Sequence, residues 1–149
     1  MDWHAFVKSL QRQRSEVHRF LPPCTEEQVA NIKCTCGALP PSLLEMLRVF
    51  GGAELFIEGI PLLTIFGAPH PLGSSAVDWP PTCWLAVQVK SWTSSGRKGF
   101  PFAISSFGTL CVVDDCEIVR EFGEPELLRN GETVSLPEWA SRVGRMKRT

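Results

Sequence analysis

The chain has 149 residues, 44% of them hydrophobic and 21% charged, with a formal net charge of −1. That size and mixture fit one globular domain over residues 1–149, and the near-neutral balance argues against a nucleic-acid binder, whose surface is strongly basic. No apolar stretch approaches the roughly 20 residues needed to cross a bilayer, and residues 1–6 lack the basic start and apolar run of a signal peptide, so a cytoplasmic location is expected.

Trp3, Phe6, Val7 and Leu10 fall on one helical face, with polar residues 11–14 behind them, which predicts an amphipathic opening helix. Leu21-Pro22-Pro23 then breaks the chain. Thr25-Glu26-Glu27-Gln28 is a capping box: the threonine hydroxyl accepts from the N–H of residue 28, whose side chain reaches back. The second helix runs through Val29, Ile32 and Cys36 and ends at Gly37. The third has both ends written into the sequence. Pro41 sets the first turn, Leu43, Leu44, Met46, Leu47 and Phe50 make a broad apolar face, and Gly51 or Gly52 supplies the left-handed residue that closes it.

After Gly52 short apolar runs rich in β-branched and aromatic residues predict strands near 54–58, 61–66, 101–105, 109–114 and 117–122. Ser106-Phe107-Gly108 reads as a hairpin turn and Asp114-Asp115 as the next turn. Residues 67–75 and 78–81 form a proline-rich irregular connection, and residues 84–89 fit a short helix or a strand equally. Ser135-Leu136-Pro137-Glu138 is a second capping box that launches a helix through Trp139, Ala140 and Val143. Arg142, Arg145, Lys147 and Arg148 read as solvated cations suited to the dipole of its last turn. Helices first, strands in the middle and a helix last give an α+β class: N-terminal helices, a central mostly antiparallel sheet and a C-terminal helix packed on it.

With these elements in order the chain resembles the SUKH superfamily, which contains a yeast regulator of cell-wall assembly and many bacterial toxin-immunity proteins. The likeness is carried by Leu39-Pro40, the apolar helix and Gly51-Gly52-Ala53-Glu54-Leu55-Phe56. Upstream it includes Leu21-Pro22-Pro23. Downstream it includes Phe102-Ala103-Ile104 with Gly108 and Val112-Val113-Asp114, and residues 135–143. Phe50 stands where that family commonly has asparagine, and Thr109 where it commonly has aspartate. The resemblance implies a non-enzymatic protein-binding domain, an immunity protein that occludes a cognate polymorphic toxin, with nucleases among the candidates. The alternative it implies is an intracellular regulatory or scaffold module of the cell-wall-regulator type.

Residues suited to chemistry are few. His4 and His18 read as exposed positions of a polar helix, while His70, held between two prolines, is the histidine placed in a loop where functional residues concentrate. Cys24, Cys34 and Cys36 lack the second ligand pair that a tetrahedral zinc site needs, so no metal and no cofactor are expected, and the six cysteines read as reduced, mostly buried thiols. Residues 94–99, Ser-Ser-Gly-Arg-Lys-Gly, lack phosphate-loop spacing and read as a solvated turn.

A protein partner is therefore the expectation, with neither nucleic acid nor membrane. Asp114, Asp115, Glu117, Glu121, Glu124 and Glu126, opposed within that window by Arg120, are the densest acidic run. If the strand alternates, Glu117, Val119 and Glu121 share one face, giving an acidic edge that either deters strand pairing or docks a basic protein. Trp79 and Trp92, in segments read as irregular, are the candidate aromatic anchors, with folding back onto the core as their alternative. Trp3, Trp84 and Trp139 are assigned to packing.

Overall fold

The computed structural model describes residues 1–69 and 79–146. The opening helix α1 (Trp3–Arg14) buries Trp3, Phe6 and Leu10, the stripe its spacing predicts, and Asp2 caps it by accepting the Ala5 N–H at 3.0 Å. A short turn leads to strand β1 (Arg19–Phe20). In α2 (Glu26–Cys36) both halves of the capping box form: Thr25 Oγ1 accepts the Gln28 N–H at 3.1 Å, and Gln28 Oε1 accepts the Thr25 N–H at 2.8 Å.

Helix α3 (Pro41–Val49) starts at its prolines as expected and buries Leu43, Met46 and Leu47. It ends on an extended Phe50. Of the two glycines beyond, Gly52 has the positive φ, +131°. Gly51 serves close approach instead, because a Cβ there would lie 2.7 Å from the Pro22 carbonyl oxygen. Its own carbonyl accepts the Ala68 N–H at 3.0 Å and faces Gly67, where a Cβ would sit 1.6 Å from it. The double glycine thus lets three backbone segments meet.

The remaining strands are β2 (Ala53–Glu58), β3 (Ile60–Ile65), β4 (Phe100–Ser105), β5 (Leu110–Val113), β6 (Ile118–Phe122) and β7 (Val134–Ser135). Together with β1 they form a seven-stranded antiparallel sheet whose spatial order follows the sequence. Register assigns its two faces. Ala53, Leu55, Leu63, Ile65, Ala103, Cys111, Val113 and Val119 line one face and all are buried in the core. Thr64, Ile104, Leu110 and Phe122 line the other, and none is fully buried.

Residues 84–89 resolve as helix: α4 (Leu85–Ser94) buries Leu85, Val89 and Trp92 at helical spacing. The closing helix α5 (Leu136–Gly144) buries Leu136, Trp139, Ala140 and Val143, and Trp139 meets Phe102 edge-on with ring centroids 4.8 Å apart. Ser135 Oγ accepts the Glu138 N–H at 3.3 Å, but the Glu138 carboxylate turns to Arg142 instead of completing the box. Arg142 is likewise no free cation. It makes a bidentate pair with Glu132 at 2.8 and 2.9 Å and donates to the Leu127 carbonyl at 3.0 Å. Lys147 and Arg148 lie outside the described residues.

Candidate protein-binding surface

The acidic run does not form one patch. Strand β6 separates its two halves, and five residues at about 3.3 Å each hold them roughly 16 Å apart. Asp114, Asp115 and Glu117 lie at the β5–β6 turn; Glu124 and Glu126 follow the strand at the opposite end of the sheet.

Several of these carboxylates are engaged inside the fold. Asp114 Oδ1 accepts the N–H groups of Cys116 at 2.9 Å and Ile118 at 3.0 Å, closing the turn. Glu117, expected as a strand residue beside Val119, sits before the strand at φ +60°, and its carboxylate accepts the Ser42 N–H at 3.0 Å. That bond caps the N-terminus of α3, where a helix dipole favours negative charge. Glu121 does share a face with Val119, but this is the core-side face. Its carboxylate accepts three backbone N–H groups, from Glu126 at 3.0 Å, Leu127 at 2.9 Å and Leu128 at 3.1 Å. Asp115, Glu124 and Glu126 keep exposed side chains.

The two candidate tryptophans fold back. Trp79 is 5% exposed, with the Arg19 guanidinium 5.8 Å from its ring centre. Trp92 belongs to α4 rather than to an irregular segment and is 8% exposed. Its Nε1–H donates to the Lys98 carbonyl at 2.8 Å, and Arg97 stacks 4.7 Å above its ring. Residues 94–99 therefore finish a helix and wrap its last aromatic.

Of the large apolar side chains that face solvent among the described residues, Val87 lies on α4 and the others gather elsewhere. The β2–β3 turn, the β4–β5 turn and the segment after β6 lie at one end of the sheet, because Leu63 pairs with Ser105 and Leu110 with Phe122. There Phe107 is 75% exposed, Ile60 60% and Phe122 41%. Phe122 rests edge-on against Trp92 at 5.0 Å, which leaves its outer side open. Glu58, Glu124 and Glu126 are exposed at the same end.

The turn that carries Phe107 is tied at every residue. Ser105 Oγ accepts the N–H of Phe107 at 3.3 Å and of Thr109 at 3.0 Å, its carbonyl accepts the Gly108 N–H at 3.0 Å, and the Ser106 N–H reaches the Leu62 carbonyl at 2.9 Å. Thr109 Oγ1 donates to the Glu124 carbonyl at 2.5 Å, joining this turn to the segment that Glu121 holds from below. Burial and the neighbouring Glu121 raise the Glu126 carboxyl above its ordinary pKa, while the Ser105 side chain pulls it down.

No family model, curated protein or solved structure matches the chain. Burial or hydrogen bonding engages several of its other reactive groups among the described residues. His4 is exposed on α1, whereas His18 is not helical: it lies between a short turn and β1, half-buried, and its Nδ1 accepts the Phe56 N–H at 3.2 Å. His70 lies outside the described residues. All six cysteines are unpaired; Cys24 and Cys111 are buried, Cys36 and Cys83 half-buried, and Cys34 and Cys116 exposed, fewer buried than expected. Burial pushes the Cys24 and Cys36 thiols up to about 11 and Cys111 up to about 12, which disfavours the thiolate needed for nucleophilic or metal chemistry. Among the described residues no group of three His, Cys, Asp or Glu is placed to hold a metal ion, and no helix is long and apolar enough to cross a membrane.

The sequence missed Phe107 because a turn phenylalanine has no periodicity to show whether it points in or out. The usable signal was local: Phe107 lies between Ser106 and Gly108, with no apolar neighbour in the turn.

Proposed function

We propose that the chain is a non-enzymatic binding protein of the SUKH kind, an immunity protein that neutralises a cognate toxin by seating it against the Phe107 end of the sheet and occluding its active surface. The observation that carries this reading is Phe107 itself, an aromatic ring mostly in water on a turn whose backbone is already fixed. Covering such a ring removes apolar area from water with little ordering cost, the condition under which one aromatic residue dominates an interface. The engaged state of His18 and the raised thiols fit a binding role better than a catalytic one.

The test is co-expression with the toxin domain encoded by the adjacent gene. The expected result is growth protection and a stoichiometric complex, both weakened by Phe107→Ala. Folded protein that binds no neighbouring toxin-like product would remove the reading. Recovery of signalling proteins as stable partners, with no toxin among them, would assign the regulatory or scaffold role instead.

A further inference from the structure

We infer that the partner segment received at this end of the sheet is both apolar and cationic, setting an aliphatic or aromatic side chain against Phe107 and Phe122 and a Lys or Arg against Glu124 and Glu126. This inference rests on the binding-protein reading and names the chemistry of the partner. Three observations carry it.

The first is adjacency. Gly123, next to Phe122, lies against the hairpin turn: a Cβ on it would be 3.4 Å from the Thr109 Cα and 3.6 Å from the Gly108 carbonyl oxygen. Phe107 and Phe122 therefore belong to one surface, and Ser106 bonded to Leu62 brings the β3 end alongside. The second is charge. Glu124 and Glu126 are exposed beside the Phe107 turn, which Thr109 ties to the Glu124 carbonyl, while the exposed cations Arg120, on the Phe122 face of β6, and Arg97, stacked on the Trp92 that Phe122 touches, lie on the Phe122 side of the patch. The Glu126 carboxyl, raised by burial and by the neighbouring Glu121, gains from an incoming cation, since a positive charge there favours its ionised form. The third is the shape of the sheet edges. β1 and β7 are two residues each and give a partner strand too little length to pair with, which favours recognition through side chains.

The test uses two synthetic helical peptides of equal length and equal leucine content, one carrying arginines and the other glutamates at its charged positions, titrated into the isotope-labelled full chain. The arginine peptide is expected to shift the amide signals of Phe107, Phe122, Glu124 and Glu126, and the glutamate peptide to leave them in place. Phe107→Ala, a mostly exposed position that leaves the core intact, should weaken binding by at least about tenfold. Glu124→Gln with Glu126→Gln should weaken it by about three- to tenfold, mainly through slower association, and added salt should mimic that loss.

Shifts confined to another face, no response to the arginine peptide, or an equal response to both peptides would overturn the inference. So would sedimentation of a dimer that Phe107→Ala dissolves, which would give the surface to a second copy of the chain. A toxin neutralised at full potency by the Phe107→Ala variant would overturn this inference and leave the immunity reading standing. Arginine-peptide binding here, with no toxin bound by the chain, would do the reverse.

Discussion

Glu117 Oε1 accepts the backbone N–H of Ser42 at 3.0 Å, so the first turn of α3 is capped by a residue 75 positions away in sequence. The same two residues tie in further elements: the Ser42 carbonyl accepts the Trp3 Nε1–H at 2.8 Å, and the Glu117 carbonyl accepts the Leu136 N–H at 3.0 Å. Two helix starts, the α1 aromatic and the β5–β6 turn therefore meet at this pair of residues, one of them a left-handed glutamate. Its φ of +60° is strained for a residue with a Cβ.

Glu117→Ala should lose the cap while keeping the strain, a destabilisation of about 1–2 kcal/mol. Glu117→Gly loses the same cap but regains roughly 1 kcal/mol of backbone strain, so it should be the milder change. Urea unfolding of both variants checks the order. An alanine variant as stable as the glycine variant would show that the φ of this residue carries no strain.

What was legible in the sequence follows the range of each signal. The Thr25 capping box, the Pro41 start and the Leu43–Met46–Leu47 stripe are local patterns, and each appears as read. Arg19–Phe20 and Val134–Ser135 are too short to show alternation, and they become strands because β2 and β6 offer them partners. The acidic run failed as a surface for the same reason. Glu117 is recruited by the backbone donor at Ser42, 75 residues away, and Glu121 by donors at Glu126 to Leu128 in the loop that follows it, and neither capture shows in the alternation of the strand. Proline-rich surroundings suggested a loop for Trp79, but its depth is set by Gly52, where a Cβ would meet the indole at 3.2 Å.

His18 makes stability depend on pH near neutrality. Nδ1 accepts the Phe56 N–H, so the ring proton sits on Nε2, and burial lowers the pKa, with Glu16 raising and Arg14 lowering it further. The folded pKa lies below the unfolded value. Above about pH 6.5 both states are neutral and nothing is lost; below it the unfolded chain binds the proton first, and stability falls. Protonated Nδ1 also cannot accept from Phe56, which holds φ +54°. The urea midpoint should therefore drop between about pH 7.5 and about pH 5.5, and His18→Gln should flatten that drop. An unchanged slope in the variant would place the pH dependence elsewhere.

A second acid response comes from the Arg142 hub. The guanidinium holds the Glu132 carboxyl at about 2, well below its ordinary value, by its paired hydrogen bonds. A carboxylate with a lowered folded pKa stabilises the fold above its unfolded pKa and loses that contribution as pH falls toward the folded one. The stabilisation should therefore fade from about pH 5 down to about pH 2, and Glu132→Gln should reduce this part of the acid sensitivity. Arg142→Lys keeps the charge but not the fork that also reaches Leu127 and Glu138, and it should lower stability at neutral pH. Equal melting temperatures for wild type and Arg142→Lys would reduce the hub to a surface ion pair.

Phe50 is the sharpest test of how far the family resemblance extends. The resemblance expects asparagine at this position, where a polar side chain would serve a turn. Here the ring is 1% exposed and meets Trp3 at 5.8 Å, Phe6 at 6.3 Å and Phe20 at 5.3 Å between centroids, so it joins α1, β1 and the end of α3. Phe50→Asn would empty the centre of that aromatic cluster and place an amide inside it. Truncating a buried phenylalanine costs about 3–5 kcal/mol, and an unsatisfied amide adds to that. Phe50→Leu, which keeps most of the apolar volume, should cost clearly less. If Phe50→Asn unfolded at the same denaturant concentration as wild type, the aromatic cluster would not be a stability centre, and the turn would be closer to the family pattern than its sequence indicates.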